Sequence, residues 1–269
     1  MRKRAGRAEG SDGEGVSSAA SLTRGLQILR AFTPLDATLG NQDLIQRTGL
    51  PKATVSRLTA TLVGLGYLYY DAMLGRYGIG PATVSLGYSA LSSSPVIHLA
   101  RPLMQELADA TGAAVALGTR DGAEMVYLAN CRSLSPVSLQ LNIGSRIPID
   151  RTAMGLAYLA AAQPSERKTV AERLEDGGTG RGGALAPLAA EAEGAMERDG
   201  FVSTFGTWYS YINAVGVAFR PSDGSPLVAL TCGGIVDILP ADLCRNEVGP
   251  RLVRLVDSLR KRLAGEAEA

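Results

Sequence analysis

The 269-residue sequence predicts an α+β protein in two parts, a small winged helix-turn-helix followed by a larger domain built on an antiparallel sheet. Three observations carry that expectation. Residues 40–64, GNQDLIQRTGLPKATVSRLTATLVG, read as two short helices joined by a tight turn at Gly49. Residues 67–80, YLYYDAMLGRYGIG, hold two β-prone runs joined through Gly75, the pattern of a hairpin. From Ala113 onward strand-like runs come first, helices fill the middle, and strands with a closing helix end the chain, an order that suits an α+β domain.

The elements follow from periodicity. In SLTRGLQILRAF, Leu22, Leu26, Leu29 and Phe32 recur at the helical spacing and stop before the Thr33-Pro34 break. Leu44 and Ile45 give the next helix an inner side, and Val55, Leu58 and Leu62 do so for the helix after it. Pro51 falls in a first helical turn, where its missing N–H would have no partner. The side away from the apolar stripe carries Ala53, Ser56, Arg57 and Ala60, with Lys52 and Thr54 near the N-terminal end. Small and hydroxyl side chains let a backbone approach base edges, while Arg and Lys reach guanine or phosphate. Readout of double-stranded DNA is therefore expected from Lys52, Thr54, Ser56 and Arg57, with phosphate contacts from Arg47 and Arg76. The hairpin alone also fits an ordinary amphipathic helix pair; the strand pair directly after it is a wing and favours DNA.

Charge is distributed unevenly. Residues 1–80 hold 10 Lys and Arg against 6 Asp and Glu, and residues 81–269 hold 17 against 20, so a net +1 chain has a basic front and a mildly acidic rear. Residues 1–20, rich in Gly, Ser, Ala and charge, read as a disordered basic arm in which Arg2, Lys3, Arg4 and Arg7 either touch phosphates or are merely solvated. No run of about 18 apolar residues is present to span a membrane, and the basic start leads into polar GSDGEG, so the expected location is the cytoplasm. Cys131, Cys232 and Cys244 are odd in number and widely spaced, which suits buried reduced thiols and neither a disulfide framework nor a zinc site.

Residues 81–93 read as a helix running out of the wing, broken by Ser92-Ser93-Ser94-Pro95 before a helix carrying Leu99, Leu103 and Leu107. An apolar helix there fits a plain core. AAVALGT, AEMVYLANC and PVSLQLNI follow as strands, then helices over 153–162, 165–175 and 184–198, then the strands INAVGVAF and PLVALTCGG around the turn PSDGS. Val248, Leu252, Leu255, Val256 and Leu259 face a final helix inward.

Catalysis finds little material. His98 is the only histidine and sits in an apolar helical stretch, so any triad or histidine metal site would hang on it. GGTGRGG lacks the Gly-Lys-Ser/Thr ending and preceding strand of a phosphate loop, and Glu191, Glu193, Glu197 and Asp199 read as a solvated helix face. No enzyme, metal or cofactor is expected.

The run TGLPKATVSRLTATLVGLGY, with SLTRGLQILRAF before it and GRYGIGPATVSLG after, resembles the N-terminal domain of the IclR family of bacterial transcriptional regulators. The resemblance extends over about residues 21–263, where GSRIP at 144–148 followed by RTAMGLAYLAA is similar to the family's G-x-R-x-P segment and small-residue helix. Asn41 departs from it, since that position is more often apolar. The resemblance implies a DNA-binding domain over 21–81, a linker helix over 82–94 that contributes to dimer contacts, a GAF-like effector-binding domain over 95–263 and a tail over 264–269. It further implies a regulator that binds operator DNA as a homodimer or homotetramer and answers to a small molecule. The implied effector cavity is lined by Leu139, Ile147, Asp150, Ala153 and Met154, by Thr204, Ile212 and Ala214, and by Thr231 and Gly233. Thr204, Ala214 and Gly233 stand where several acid-binding relatives carry an aspartate, a cysteine and a serine, so an aromatic or apolar effector is expected. Trp208, Tyr209 and Tyr211 fit either stacking on that effector or anchoring a loop.

Overall fold

The computed structural model describes residues 12–134, 139–177 and 181–265. The basic cluster at residues 2–7 lies outside the described residues. The chain divides into two compact units, one ending at Ala90 and the other beginning at Leu91.

The first unit packs α1 (Asp12–Arg30), α2 (Asn41–Thr48) and α3 (Lys52–Gly64) around one small core with a three-stranded sheet. Strand β3 (Arg76–Ile79) lies between β1 (Leu39–Gly40) and β2 (Leu68–Asp71), antiparallel to both. Ile28, Leu39, Leu44, Val55, Leu58, Leu62 and Leu68 form the core. Two expectations for α1 need correction. The helix begins at Asp12, inside the segment read as an arm, and continues through Gly13 and Gly15, which lower helix propensity but do not block the backbone hydrogen bonds as proline would. Gly25 and Ile28 are buried, and of the expected stripe Leu29 and Phe32 pack partly buried against this core while Leu22 and Leu26 stay exposed. In the wing turn the Asp71 carboxylate accepts from the backbone N–H groups of Met73 and Leu74 at 2.9 and 3.1 Å, and Gly75 supplies the φ of 63° that closes it. Helix α4 (Pro81–Ser92) follows the wing and buries no residue.

The second unit is a six-stranded antiparallel sheet in the order β6-β5-β4-β9-β8-β7 with helices on both faces. Its strands are β4 (Ala114–Asp121), β5 (Glu124–Cys131), β6 (Arg146–Pro148), β7 (Val202–Phe205), β8 (Ile212–Phe219) and β9 (Val228–Ile235). Helix α5 (Pro95–Thr111) and the closing helix α10 (Gly249–Leu263), reached through the short α9 (Ala241–Leu243) and a π-turn, cover one face. Helices α6 (Ala153–Ala161), α7 (Pro164–Asp176) and α8 (Leu185–Asp199) cover the other. The α+β class and antiparallel sheet stand as expected.

Three details differ from the sequence expectation. PVSLQLNI is not a strand where it is described: Asn142 and Ser145 close a turn, with Ser145 N–H on the Asn142 carbonyl at 2.9 Å, and the first backbone bonds to β5 come after it, joining Gly144 and Ser145 to Tyr127, before the strand itself starts at Arg146. Strand β7 was not anticipated, since a four-residue edge of Val, Ser, Thr and Phe carries too little alternation to register. In α5 the buried face is Val96, Ile97, Ala100, Met104, Leu107 and Ala108, with Leu99 and Leu103 only half-buried, because small Ala residues let the helix approach the sheet.

Candidate functional site

Gly49, at φ 68°, ends α2 in the left-handed region and turns the chain into α3. Thr48 Oγ1 donates to the Leu44 carbonyl at 2.6 Å and accepts from Leu50 N–H at 3.3 Å, which holds the turn. Val55, Leu58, Thr59 and Leu62 pin α3 to the core, and the Thr59 hydroxyl is satisfied by the Val55 carbonyl at 2.9 Å. The opposite side is open. Lys52, Ala53, Arg57, Ala60 and Thr61 are exposed, and Thr54 and Ser56 flank them half-buried. Arg57 and Lys52 have no acidic partner among the described residues.

Arg47 and Arg76 are placed differently. Arg47 grips Asp36 with both guanidinium ends, at 2.5 and 2.8 Å, and donates to the Ala31 carbonyl at 2.9 Å. That contact, followed by the Thr33 hydroxyl and N–H, holds the Asp36 carboxyl far below its ordinary value. Arg76 donates to Thr38 Oγ1 and the Thr38 carbonyl, each at 3.0 Å, and to Asp43 at 2.8 Å. Asp43 also accepts from Gly40 N–H at 2.9 Å, and chiefly by that bond its carboxyl is shifted down. Both arginines therefore brace α2 against the loop before it and against the wing, a partnership that residue type alone does not reveal. Asn41, at the start of α2, keeps its side-chain oxygen buried with no partner among the described residues, an unmet desolvation cost.

In the second unit, nine of the ten residues expected to line a cavity do come together. Leu139, Ile147, Ala153, Met154, Thr204, Ile212, Ala214, Thr231 and Gly233 surround a cavity of about 30 Å³ between α6 and the sheet. Gly216 makes this possible: a Cβ there would lie 2.4 Å from the Ala153 carbonyl oxygen, so only glycine lets α6 sit so close to β8. Asp150 is the exception and is corrected: it is buried outside the lining, paired to Arg181 at 3.1 Å. A buried carboxylate needs a cation, and Arg181, from the connection between α7 and α8, meets that need together with Arg151 at 3.7 Å.

Together with Trp208, one of the aromatics expected either to stack on the effector or to anchor a loop, Tyr127 and Thr152, which the sequence does not mark, complete the wall. Tyr127 reaches it through a β-bulge: Leu117 pairs with Ala129 but Gly118 pairs with Tyr127, so the strand face switches within β5. Burial pushes its phenol pKa upward and keeps it neutral. The Thr152 and Thr231 hydroxyls are already spent on the Pro148 and Val215 carbonyls, at 2.6 and 2.8 Å. Those of Tyr127 and Thr204 have no partner among the described residues. Trp208 meets Tyr209 with its ring tilted by 44°, and Tyr209 stacks on Tyr211, at centroid distances of 4.6 and 5.6 Å. His98 is exposed and meets the Ser92 carbonyl at 2.8 Å. Glu193, expected on a solvated face, is ion-paired with Arg167 of α7. Among the described residues no cluster of His, Cys, Asp and Glu is arranged to hold a metal, and no helix is long and apolar enough to cross a membrane.

The chain matches the IclR helix-turn-helix domain over residues 21–72 and the C-terminal domain of the bacterial transcriptional regulator IclR over residues 88–179. It is 33% identical over 242 residues to the HTH-type transcriptional regulator TsaQ1/TsaQ2 of Comamonas testosteroni, covering 89% of this chain and 87% of that one. Among solved structures it is similar to an IclR family transcriptional regulator from Brucella abortus, with a TM-score of 0.81, 36% identity and coverage of 95% and 96%. The fold alone is shared with a regulator from Alicyclobacillus acidocaldarius at 18% identity and a TM-score of 0.71, over 93% of this chain and 99% of that one. With a helix-turn-helix ahead of an effector-binding domain, the chain belongs to the IclR family of transcriptional regulators.

Proposed function

We propose that α3 enters the major groove of operator DNA and that Lys52, Thr54, Ser56 and Arg57 read it, with Arg47 and Arg76 acting mainly as braces and only secondarily as phosphate contacts. The observation that carries this is the contrast between an unpaired Arg57 on an exposed small-residue face and two neighbouring arginines bound in ion pairs. An arginine bidentate to guanine is the commonest specific contact in that groove. The regulator acts as a homodimer. Leu22 and Leu26 on α1 and Val84, Leu86 and Tyr88 on α4 are all exposed, an apolar load that a second copy would cover. The linker comprises residues 82–94, and the effector-binding domain begins near Pro95.

The effector enters the cavity beneath Trp208. At about 30 Å³ the space holds one water, so binding must open it. Every lining residue except Leu139, Thr152 and Trp208 sits on a strand or on α6, which places the adjustable walls at these positions. An aromatic wall from Tyr127 and Trp208 with unspent hydroxyls on Tyr127 and Thr204 suits an aromatic compound bearing one or two polar groups. A fold relative from Microbacterium hydrocarbonoxydans, 22% identical with a TM-score of 0.64, is a complex with 4-hydroxybenzoate, a compound of that kind. Ligand occupancy shifts operator affinity by favouring one of two conformations.

The test is selection of DNA fragments by the purified full-length protein. An enriched palindrome, lost or relaxed at one position in Arg57→Ala, is expected; sequence-blind capture that Arg57→Ala leaves unchanged would remove α3 as the reader. For the cavity, Ala214→Val adds two methyl groups to a space that holds one water, so the response of operator binding to 4-hydroxybenzoate and related aromatic acids is expected to vanish while ligand-free affinity stays within a few fold. A retained response would take Ala214 out of the site.

A further inference from the structure

The second unit holds another concavity that shares no lining residue with the effector cavity. A groove of about 770 Å³ opens where α5 meets the end of β5 and the turn before β6, walled by Arg101, Gln105, Asn130, Arg132, Asn142 and Ile143. Its volume is that of a small-molecule site.

Its polar groups are oriented but incompletely used. The Arg132 guanidinium is held by the Leu141 carbonyl and by Asn142 Oδ1 at 2.9 Å, while its Nε is buried with no partner among the described residues. Asn130 donates from Nδ2 to the same Leu141 carbonyl at 2.6 Å, which fixes the amide, and its Oδ1 is likewise buried and unpartnered. Gln105 Nε2 spans Asp109 Oδ1 and the Arg132 carbonyl, both at 2.9 Å, and so ties α5 to the end of β5. Arg101 contributes a second guanidinium that has no acidic partner among the described residues. A buried N–H donor and a buried acceptor left open beside two positive charges are costly unless something meets them. The complementary molecule presents a carboxylate to the guanidiniums and an O–H to Asn130 Oδ1. The apolar flanks of Pro102 and Ile143 suit a short carbon skeleton between them.

We propose that this groove is a second ligand site, selective for small hydroxycarboxylates and independent of the effector cavity.

Calorimetric titration of the full-length protein with L-malate, succinate and inorganic phosphate tests it. Malate is expected to bind, with succinate, which lacks the hydroxyl, about tenfold weaker and phosphate weaker still. Arg101→Gln should weaken malate about tenfold or more with an unchanged melting curve, since Arg101 is exposed. Ile143→Glu, at a position 45% exposed, places a carboxylate in the groove and should abolish malate binding even if Arg101→Gln proves unstable. Ala214→Val should leave malate binding intact. The proposal is overturned if malate does not bind, if succinate or phosphate binds as well as malate, or if Ala214→Val removes binding that Ile143→Glu retains.

Discussion

Three arginines of the first unit carry the same charge and do different work, which only their partners reveal. Arg57 faces solvent from α3, so Arg57→Ala is expected to change stability by about 0.5 kcal/mol and to cost about 1–3 kcal/mol per half-site on operator DNA. Thermal melts beside operator titrations on mutant and parent would check it, and a large melting loss would make α3 structural at this position. Arg76 predicts the reverse. It is 38% exposed, and its contacts to Thr38 and Asp43 join β3 to the entry of α2, so Arg76→Ala should cost about 1 kcal/mol of stability. The salt dependence of operator binding should barely move. A slope reduced by about one unit with no loss of melting temperature would restore Arg76 as a phosphate contact.

At the scale of elements, periodicity succeeds where one face of a helix or strand meets one core and fails where geometry intervenes. Strands β2, β3 and β8 and helices α6, α7 and α8 lie within a residue or two of their expected limits, because turn residues and apolar spacing agree there. Tyr127 escaped because a bulge between Leu117 and Gly118 exchanges the faces of β5, and no residue type announces a bulge in advance. Strand β9 and the π-turn after α9 bury Cys232 and Cys244, and burial pushes their thiols up to about 12 and about 11. The sign of the resulting pH dependence follows. The unfolded thiols ionise near their ordinary value of 9.0 while the folded ones hold their protons, so stability is complete below pH 9 and falls as pH rises toward 11 and 12. Urea midpoints at pH 8 and pH 10.5 should show the drop, and thiol reagents at pH 8 should label these cysteines only at the rate of unfolding. Rapid labelling of the folded protein would show that α10 does not seal them.

For the whole molecule the division at Ala90 and Leu91 has a direct consequence. A fragment beginning at Leu91 retains every strand of the six-stranded sheet and both helical layers, so it should fold by itself. It holds 17 basic and 20 acidic residues and lacks α3, so it should not bind operator DNA at moderate salt. Circular dichroism, a melting curve and a DNA titration on the fragment decide this; specific binding would mean that the reading surface is not confined to the first unit.

What the sequence determined by itself was whatever depends on neighbours along the chain: the helix-turn-helix around Gly49, the wing around Gly75, the order of strands and helices and, by resemblance, nine of the residues that converge on the cavity. Local propensity and spacing are properties of a segment, so they are legible without the fold. What the tertiary structure decided depends on groups distant in sequence. Asp36 and Asp43 claim Arg47 and Arg76, Arg181 draws Asp150 out of the cavity wall, and Gly216 lets α6 close the space to about 30 Å³. Each is a contact whose energy exists only once both partners have been brought together, and that meeting is a property of the packed chain.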